Sequence, residues 1–327
     1  MITRRAALLG APFGLASVCF PWPACTANGS LRVAALRFGS LSWLIETIRA
    51  EGLDAPRGLE LDVIDVATNQ AGTITLMSGA ADIIVSDWLW ALRQRSQGED
   101  LKFAPFSAAL GALVVRPGSG VRSLADLAGK RLGVAGSAID KSWLVLRAYS
   151  RHSVGRDVAD IATVVFGAAP LITEEFRQGR LDAVLNYWPF AARLVGNGFT
   201  NLLDMSEVLS ALGVEPVPPL VGFVWRERTE AAKGAAFAAF FAAAAGGNAI
   251  LAQSDRAWDR LRPLVKPASD AELAAIRSAY RAGIAGAWGA AHTRAAEKLV
   301  GLLLELGDED LIGARTHFDP DLFHVSS

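Results

Sequence analysis

The chain has 327 residues, 52% of them hydrophobic and 20% charged. That composition excludes a disordered polypeptide and suffices for one or two packed domains. A net charge of −1 excludes the basic field that nucleic acid requires, and the positive mean hydropathy of +0.30 owes much to alanine.

The first residues read as a leader. Arg4 and Arg5 precede an apolar segment over 6–20, too short to span a bilayer comfortably. Pro21, Pro23 and the small residues Cys25-Thr26-Ala27 complete the order of an export signal, with cleavage expected after Ala27. Thr3-Arg4-Arg5 with Leu8 and Leu9 resembles a twin-arginine leader, the general secretory route being the alternative. A lipid anchor on Cys25 ranks behind cleavage, because Trp22 and Pro23 make a poor lipobox. Both cysteines, Cys19 and Cys25, fall in this leader, so the mature chain is expected to hold no thiol chemistry.

Past the leader, residues 31–36 predict a strand and 37–40 a turn, with Ser40 or Ser42 capping a helix to about 51. The alternating LELDVIDV over 59–66 predicts a second strand, followed by a short helix over 71–77. A third strand over 81–85 leads through Ser86 and Asp87 into a helix from Trp88 to about 97. Strand–helix alternation of this kind builds a parallel sheet covered by helices. Strands are expected over 103–107 and 110–116, and Pro117-Gly118-Ser119-Gly120 reads as a linker. A second series follows: strand 132–135 and helix 140–150, strand 161–166 and helix 171–178, strand 181–185 and a helix to 195, then strand 199–203. Pro216, Pro218 and Pro219 mark a second linker, and 220–226 a strand returning to the first half. The remainder reads as helices over 228–251, 256–265, 270–282 and 293–306. The Ala/Gly/Phe run at 235–249 is expected to be a buried helix rather than a membrane span.

The stretch SLADLAGKRLGVAGSAIDK, residues 123–141, resembles the signature of type II periplasmic solute-binding proteins, in particular the sulfonate, taurine, nitrate and thiamine-precursor group. The resemblance implies a two-lobed α/β fold, each lobe a mostly parallel sheet flanked by helices, with a ligand cleft between. The lobes would be 28–115 plus 220–327 and 116–219. It further implies capture of a small molecule by hinge closure and delivery to an inner-membrane ABC permease, by a periplasmic, monomeric protein without cofactor, metal or nucleic acid.

In open parallel sheets ligands sit beyond the carboxyl ends of strands. That rule nominates loops 38–42, 68–70, 86–88, 137–141 and 186–190, and within or just after them Phe38, Ser40, Trp43, Asn69, Ser86, Asp87, Trp88, Ser137, Asp140, Asn186, Tyr187 and Trp188. Ser40 and Ser137 sit at helix starts, where free N–H groups hold anions, although a capping serine needs no ligand. Lys141 reads equally well as a solvated helix charge, and Trp90 and Trp143 as core. Sulfonate-type relatives commonly carry an aromatic-Asp-Pro-aromatic run after an Asp-Ala strand. Here Asp182-Ala183 and Pro189-Phe190 match, but Trp188 stands at the acid's position. A ring face there favours a ligand with an apolar, aromatic or quaternary-ammonium part.

Signs of catalysis are sparse. His152, His292, His317 and His324 are scattered, Glu174 and Glu175 read as a solvated helix face, and no H-E-x-x-H, G-x-S-x-G or phosphate-loop string occurs. The sequence therefore predicts a binding protein for a small organic anion or zwitterion. An enzyme on the same fold, or an accessory protein whose cleft is filled by its own side chains, is the alternative.

Overall fold

The computed structural model describes residues 29–37, 39–305 and 317–324; the predicted leader and Phe38 lie outside them. Strand–helix units come first: β1 (Gly29–Leu36) into α1 (Ser40–Ala50), β2 (Leu59–Val66) into α2 (Asn69–Met77), β3 (Ile83–Asp87) into α3 (Trp88–Arg95), then β4 (Leu101–Ser107). The second group runs β5 (Gly111–Val115), β6 (Arg131–Ala135), α4 (Lys141–Val154), α5 (Val158–Ile161), β7 (Thr163–Gly167), α6 (Ala169–Arg177), β8 (Ala183–Tyr187), α7 (Trp188–Gly196), β9 (Thr200–Asp204) and α8 (Met205–Ala211). Strand β10 (Val221–Arg226) follows. Helices α9 (Glu227–Gln253), α10 (Asp255–Arg260), α11 (Arg262–Val265), α12 (Asp270–Ala282) and α13 (Ala290–Glu305) come last.

The strands form two five-stranded sheets of matching order, β2-β1-β3-β10-β4 and β7-β6-β8-β5-β9. In each, three parallel strands feed helices and one antiparallel strand enters from the other half. Local chemistry explains the elements. The alternation of β2 pairs in parallel with β1 from Gly29↔Leu59 to Leu36↔Val66. Strand β5, GALVV, is buried throughout because apolar residues pack on both faces, Ile172 and Leu194 against Ala112 and Val114, Trp143 and Val208 in the cluster of Leu113 and Val115. Carboxylates cap α3 (Asp87), α4 (Asp140), α5 (Asp157) and α8 (Asp204), each accepting a backbone N–H from the first turn.

The chain changes sheet earlier than the linker composition suggested. Strand β4 belongs to the first sheet and β5 to the second, so the crossing is at 108–110 and not at 117–120. Turn-forming residues flagged a loop there, but which sheet a strand joins is decided by its partners. At this crossing the Ala108 N–H donates to Gly283 O at 2.8 Å, and Ser107 bridges Ile284. Glycine is required at 283, since a Cβ would stand 2.5 Å from that of Ala109. The return crossing, over 212–220, holds the three prolines as expected.

Helix α9 is long and apolar enough to cross a membrane by length and composition alone. Its Phe237, Phe240, Ala243 and Ala244 are nevertheless buried with Leu44 and Ile48 of α1, in the core of the first sheet. Another core cluster runs continuously from Ile84 and Trp88 of the first half to Leu113, Leu132 and Trp143 of the second.

The two sheets repeat one device at the start of their third parallel strand. Asp82 accepts the Arg32 N–H and Asp182 accepts the Arg131 N–H, each at 2.8 Å. Asp82 is buried and also receives the Arg32 guanidinium and the Lys233 ammonium, at 2.7 Å each. Burial opposes its ionisation, but hydrogen bonds from Arg32 and Lys233 prevail and hold its carboxyl below the usual range. Asp82→Asn should destabilise the protein by about 2 kcal/mol in chemical denaturation. That is less than a fully buried pair loses, because both cations keep partial contact with water. A depressed native pKa gives stability that is present above the unfolded value and lost as pH falls. The wild type should therefore weaken below about pH 4, and Asp82→Asn should show a shallower acid slope.

Candidate functional site

Residues beyond the carboxyl ends of β1 and β3 in the first sheet, Trp43 and Asp87, interact with residues at those of β6 and β8 in the second, Asp140, Tyr187 and Trp188. The most direct contact is aromatic. Trp188 begins α7, yet its indole lies on first-sheet rings, edge-on to Trp43 at 5.8 Å and to Tyr280 of α12 at 6.1 Å. Trp43 and Tyr280 also meet Trp258 of α10, at 5.9 and 5.2 Å. Each such edge-to-face pair contributes about 0.5–1.5 kcal/mol beyond its buried area.

Next to these rings is a polar hollow. Ser40, Phe106, Ser107, Asn248, Tyr280, Gly283 and Ile284 line about 10 Å³, the volume for a single water. Ser40 is 9% exposed, and its hydroxyl has no hydrogen-bond partner among the described residues. Tyr280 donates its phenol to Asn248 Oδ1 at 2.6 Å, and burial pushes that phenol up, so it stays protonated. Ser40 was expected to cap α1 and does not. Gly39 is the N-cap with no side-chain bond, and Ser42 donates back to Leu36 O at 2.9 Å, which leaves the α1 start open.

The second cluster is acidic. Asp140 accepts the Tyr187 O–H at 3.0 Å and the Ser142 N–H at 2.9 Å. Burial raises the Asp140 carboxyl above its ordinary value, against the pull of Lys141 and these two donors, and Asp87 of the first sheet adds to the rise. Burial and the same two acids push the Tyr187 phenol up, which keeps it a donor. Lys141 lies 5.6 Å from the Tyr187 ring centre. Gly136, with φ +96°, makes room, because a Cβ there would stand 2.7 Å from the Tyr187 oxygen. The expected anion seat at 137–141 is therefore taken by an acid of the chain itself.

The nominated residues thus divide. Ser40 lines the hollow, Trp43 and Trp188 meet in the ring cluster that shares Tyr280 with it, and Asp87, Asp140 and Tyr187 make up the acidic side. Trp88 is fully buried against Phe323 at 5.7 Å and belongs to the core, not the gap. Asn186 is 1% exposed, with its amide spent on Thr173 Oγ1, Ala169 O and the Tyr187 N–H inside the second half. Ser86 is buried within β3 opposite Gly222. Ser137 is exposed and its hydroxyl serves a local turn to Ile139. Asn69 is exposed at the start of α2, with no hydrogen bond or ring contact to either cluster among the described residues. Trp90 and Trp143 pack in the core as expected. Tyr280, Asn248 and Ser107 were missed. Tyr280 shares a buried stripe with Leu273 and Ile276, so only its hydroxyl set it apart in the sequence.

A second tie joins the halves beside Trp188. Arg193 of α7 pairs with buried Glu272 of α12 and donates to Val265 O, while Asn197 Nδ2 reaches Glu272 Oε2 at 2.7 Å. The helices cross closely at Gly196, where a Cβ would stand 2.7 Å from Glu272 Cα.

Residues 51–197 match the family described as NMT1/THI5 like. Solved structures share the fold over most of the chain. The alkanesulfonate-binding protein SsuA from Xanthomonas axonopodis pv. citri, bound to MOPS, aligns over 91% of this chain and 99% of its own, at 16% identity and TM-score 0.70. The periplasmic aliphatic sulphonate binding protein SsuA from Escherichia coli aligns over 91% and 93%, at 13% identity and TM-score 0.72. The desulfurization enzyme DSZB aligns over 85% and 92%, at 15% identity and TM-score 0.57. The chain therefore has the two-lobed, SsuA-like periplasmic-binding fold, and its solved neighbours are mostly binding proteins. No curated protein matches the sequence.

Tyr187→Phe removes a donor that favours ionised Asp140. Carbon-13 NMR titration should show the Asp140 carboxyl moving further up, with the fold unchanged by circular dichroism.

Proposed function

We propose that this chain is the periplasmic substrate-binding component of an ABC importer, capturing a small organic anion or zwitterion by hinge closure rather than transforming it. One observation carries the reading: side chains beyond the strand ends of both sheets meet, with Trp188 against Trp43 and the charge of Asp87 acting on Asp140 and Tyr187. Two peptide crossings, at 108–110 and 212–220, are a natural hinge.

The gap is chemically two-sided. The open start of α1 carries roughly half a positive charge, with the Ser40 hydroxyl beside it, and suits a carboxylate or sulfonate oxygen. The Asp87, Asp140 and Tyr187 side suits an amine or quaternary ammonium. A zwitterion satisfies both, and the MOPS bound by the Xanthomonas relative is itself a sulfonate bearing a protonatable amine. A ligand that contacts both halves binds the closed form and not the open one, and so takes over from Trp188 in stabilising the form that the permease would recognise. Export through the 1–27 leader would put the protein in the periplasm, as a monomer.

Native mass spectrometry of protein purified from its own periplasm should reveal a co-purifying small molecule, recovered unaltered after incubation. Isothermal titration with MOPS and taurine should then show binding of at least one. Retention of neither a native molecule nor a probe would refute the reading, and chemical conversion of the bound molecule would favour an enzyme.

A further inference from the structure

The two tryptophans at the strand–helix joints are equivalent in topology. Trp88 follows β3 and Trp188 follows β8, and their N–H groups donate to the last residue before the incoming antiparallel strand, Leu220 O at 3.2 Å and Leu110 O at 3.4 Å. Their side chains part company. Trp88 stays in the core beside its own sheet, whereas Trp188 crosses to the aromatic cluster of the other half. The indole lies over Trp43, and Ser40 stands one helical turn before Trp43 on α1, facing the hollow that Tyr280 shares.

We infer that Trp188 is a built-in occupant of the ligand seat: its indole fills the place of a flat aromatic body, and a ligand binds by displacing it. The inference rests on the binding-protein reading and names the ligand class, a small aromatic anion. Three observations carry it. The ring sits edge-on to Trp43 and Tyr280, so a planar group of similar size gains the same contacts. The hollow on the other side of Tyr280, lined by first-half residues, has room for one water and is too small for an organic ligand, so a guest has to take the place of a ring. That hollow is lined with polar groups left over for a guest. They are the hydroxyl of Ser40, a residue 9% exposed, and the amide nitrogen of half-buried Asn248, neither with a hydrogen-bond partner among the described residues. An aryl group in place of the indole would bring an acidic substituent onto these donors and the open start of α1.

Displacement makes the competent state a minor one, so apparent affinity is reduced by its population. The test is isothermal titration of wild type and Trp188→Ala with benzenesulfonate and with methanesulfonate, folding being checked by circular dichroism. Trp188→Ala should bind benzenesulfonate about tenfold or more tightly than wild type, with little gain for methanesulfonate. Adding Ser40→Ala should cancel the gain. If Trp188→Ala does not fold, Trp188→Leu replaces it with the same expectation in direction. A folded variant whose benzenesulfonate affinity is equal to or weaker than that of wild type overturns the inference, as does an equal gain for methanesulfonate. Failure of wild type to retain any native molecule, MOPS or taurine would count against the importer reading alone. Benzenesulfonate binding by Trp188→Ala would still support the displaced-indole seat.

Discussion

Trp188 belongs to one sheet by its backbone and to the other by its side chain. Its N–H is tied to Leu110 at the first crossing, and its indole rests on Trp43 and Tyr280. Much else follows from that divided allegiance. Helix α7 is drawn against α12, where Gly196 permits a close crossing and Glu272 takes both Arg193 and Asn197. Beside these rings, within the first half, a hollow for one water remains. Closure is thus built from contacts that a guest would otherwise make.

The halves are variations on one plan. Both sheets have the same order, with an aspartate latching the third parallel strand and a tryptophan opening the following helix. They differ where recognition would occur. The first half offers an uncapped helix start and a lone hydroxyl; the second offers Asp140, held up by burial, under the Tyr187 phenol. Donors on one wall and acceptors on the other assign an acidic group of the guest to the first half and any cationic group to the second.

Much of this plan was legible in the sequence. The alternation of 59–66 reproduces β2 to the residue, and strand–helix alternation yields both sheets, because these signals are local. Partnership is not local. The punctuation at 117–120 outweighed an apolar pentapeptide, GALVV, whose membership of the second sheet depends on β8 and β9. Trp88 and Trp188 stand at equivalent joints, yet Phe323 receives one and Tyr280 the other, from far along the chain. Asn186 reads as a loop amide until Thr173 is found to hold it. The substitution of Trp188 for an expected acid was visible at once, but its destination was not.

Trp188 and the Glu272 tie hold the two halves in one arrangement. Ile74 on α2 and Leu171 on α6 are exposed, one on each half, and accept spin labels as cysteines. Double electron–electron resonance between them should give a single narrow distance distribution in ligand-free protein. Adding Trp188→Ala and Glu272→Gln should spread it to longer distances. A broad distribution at the outset, or one that the two substitutions leave unchanged, would contradict the account.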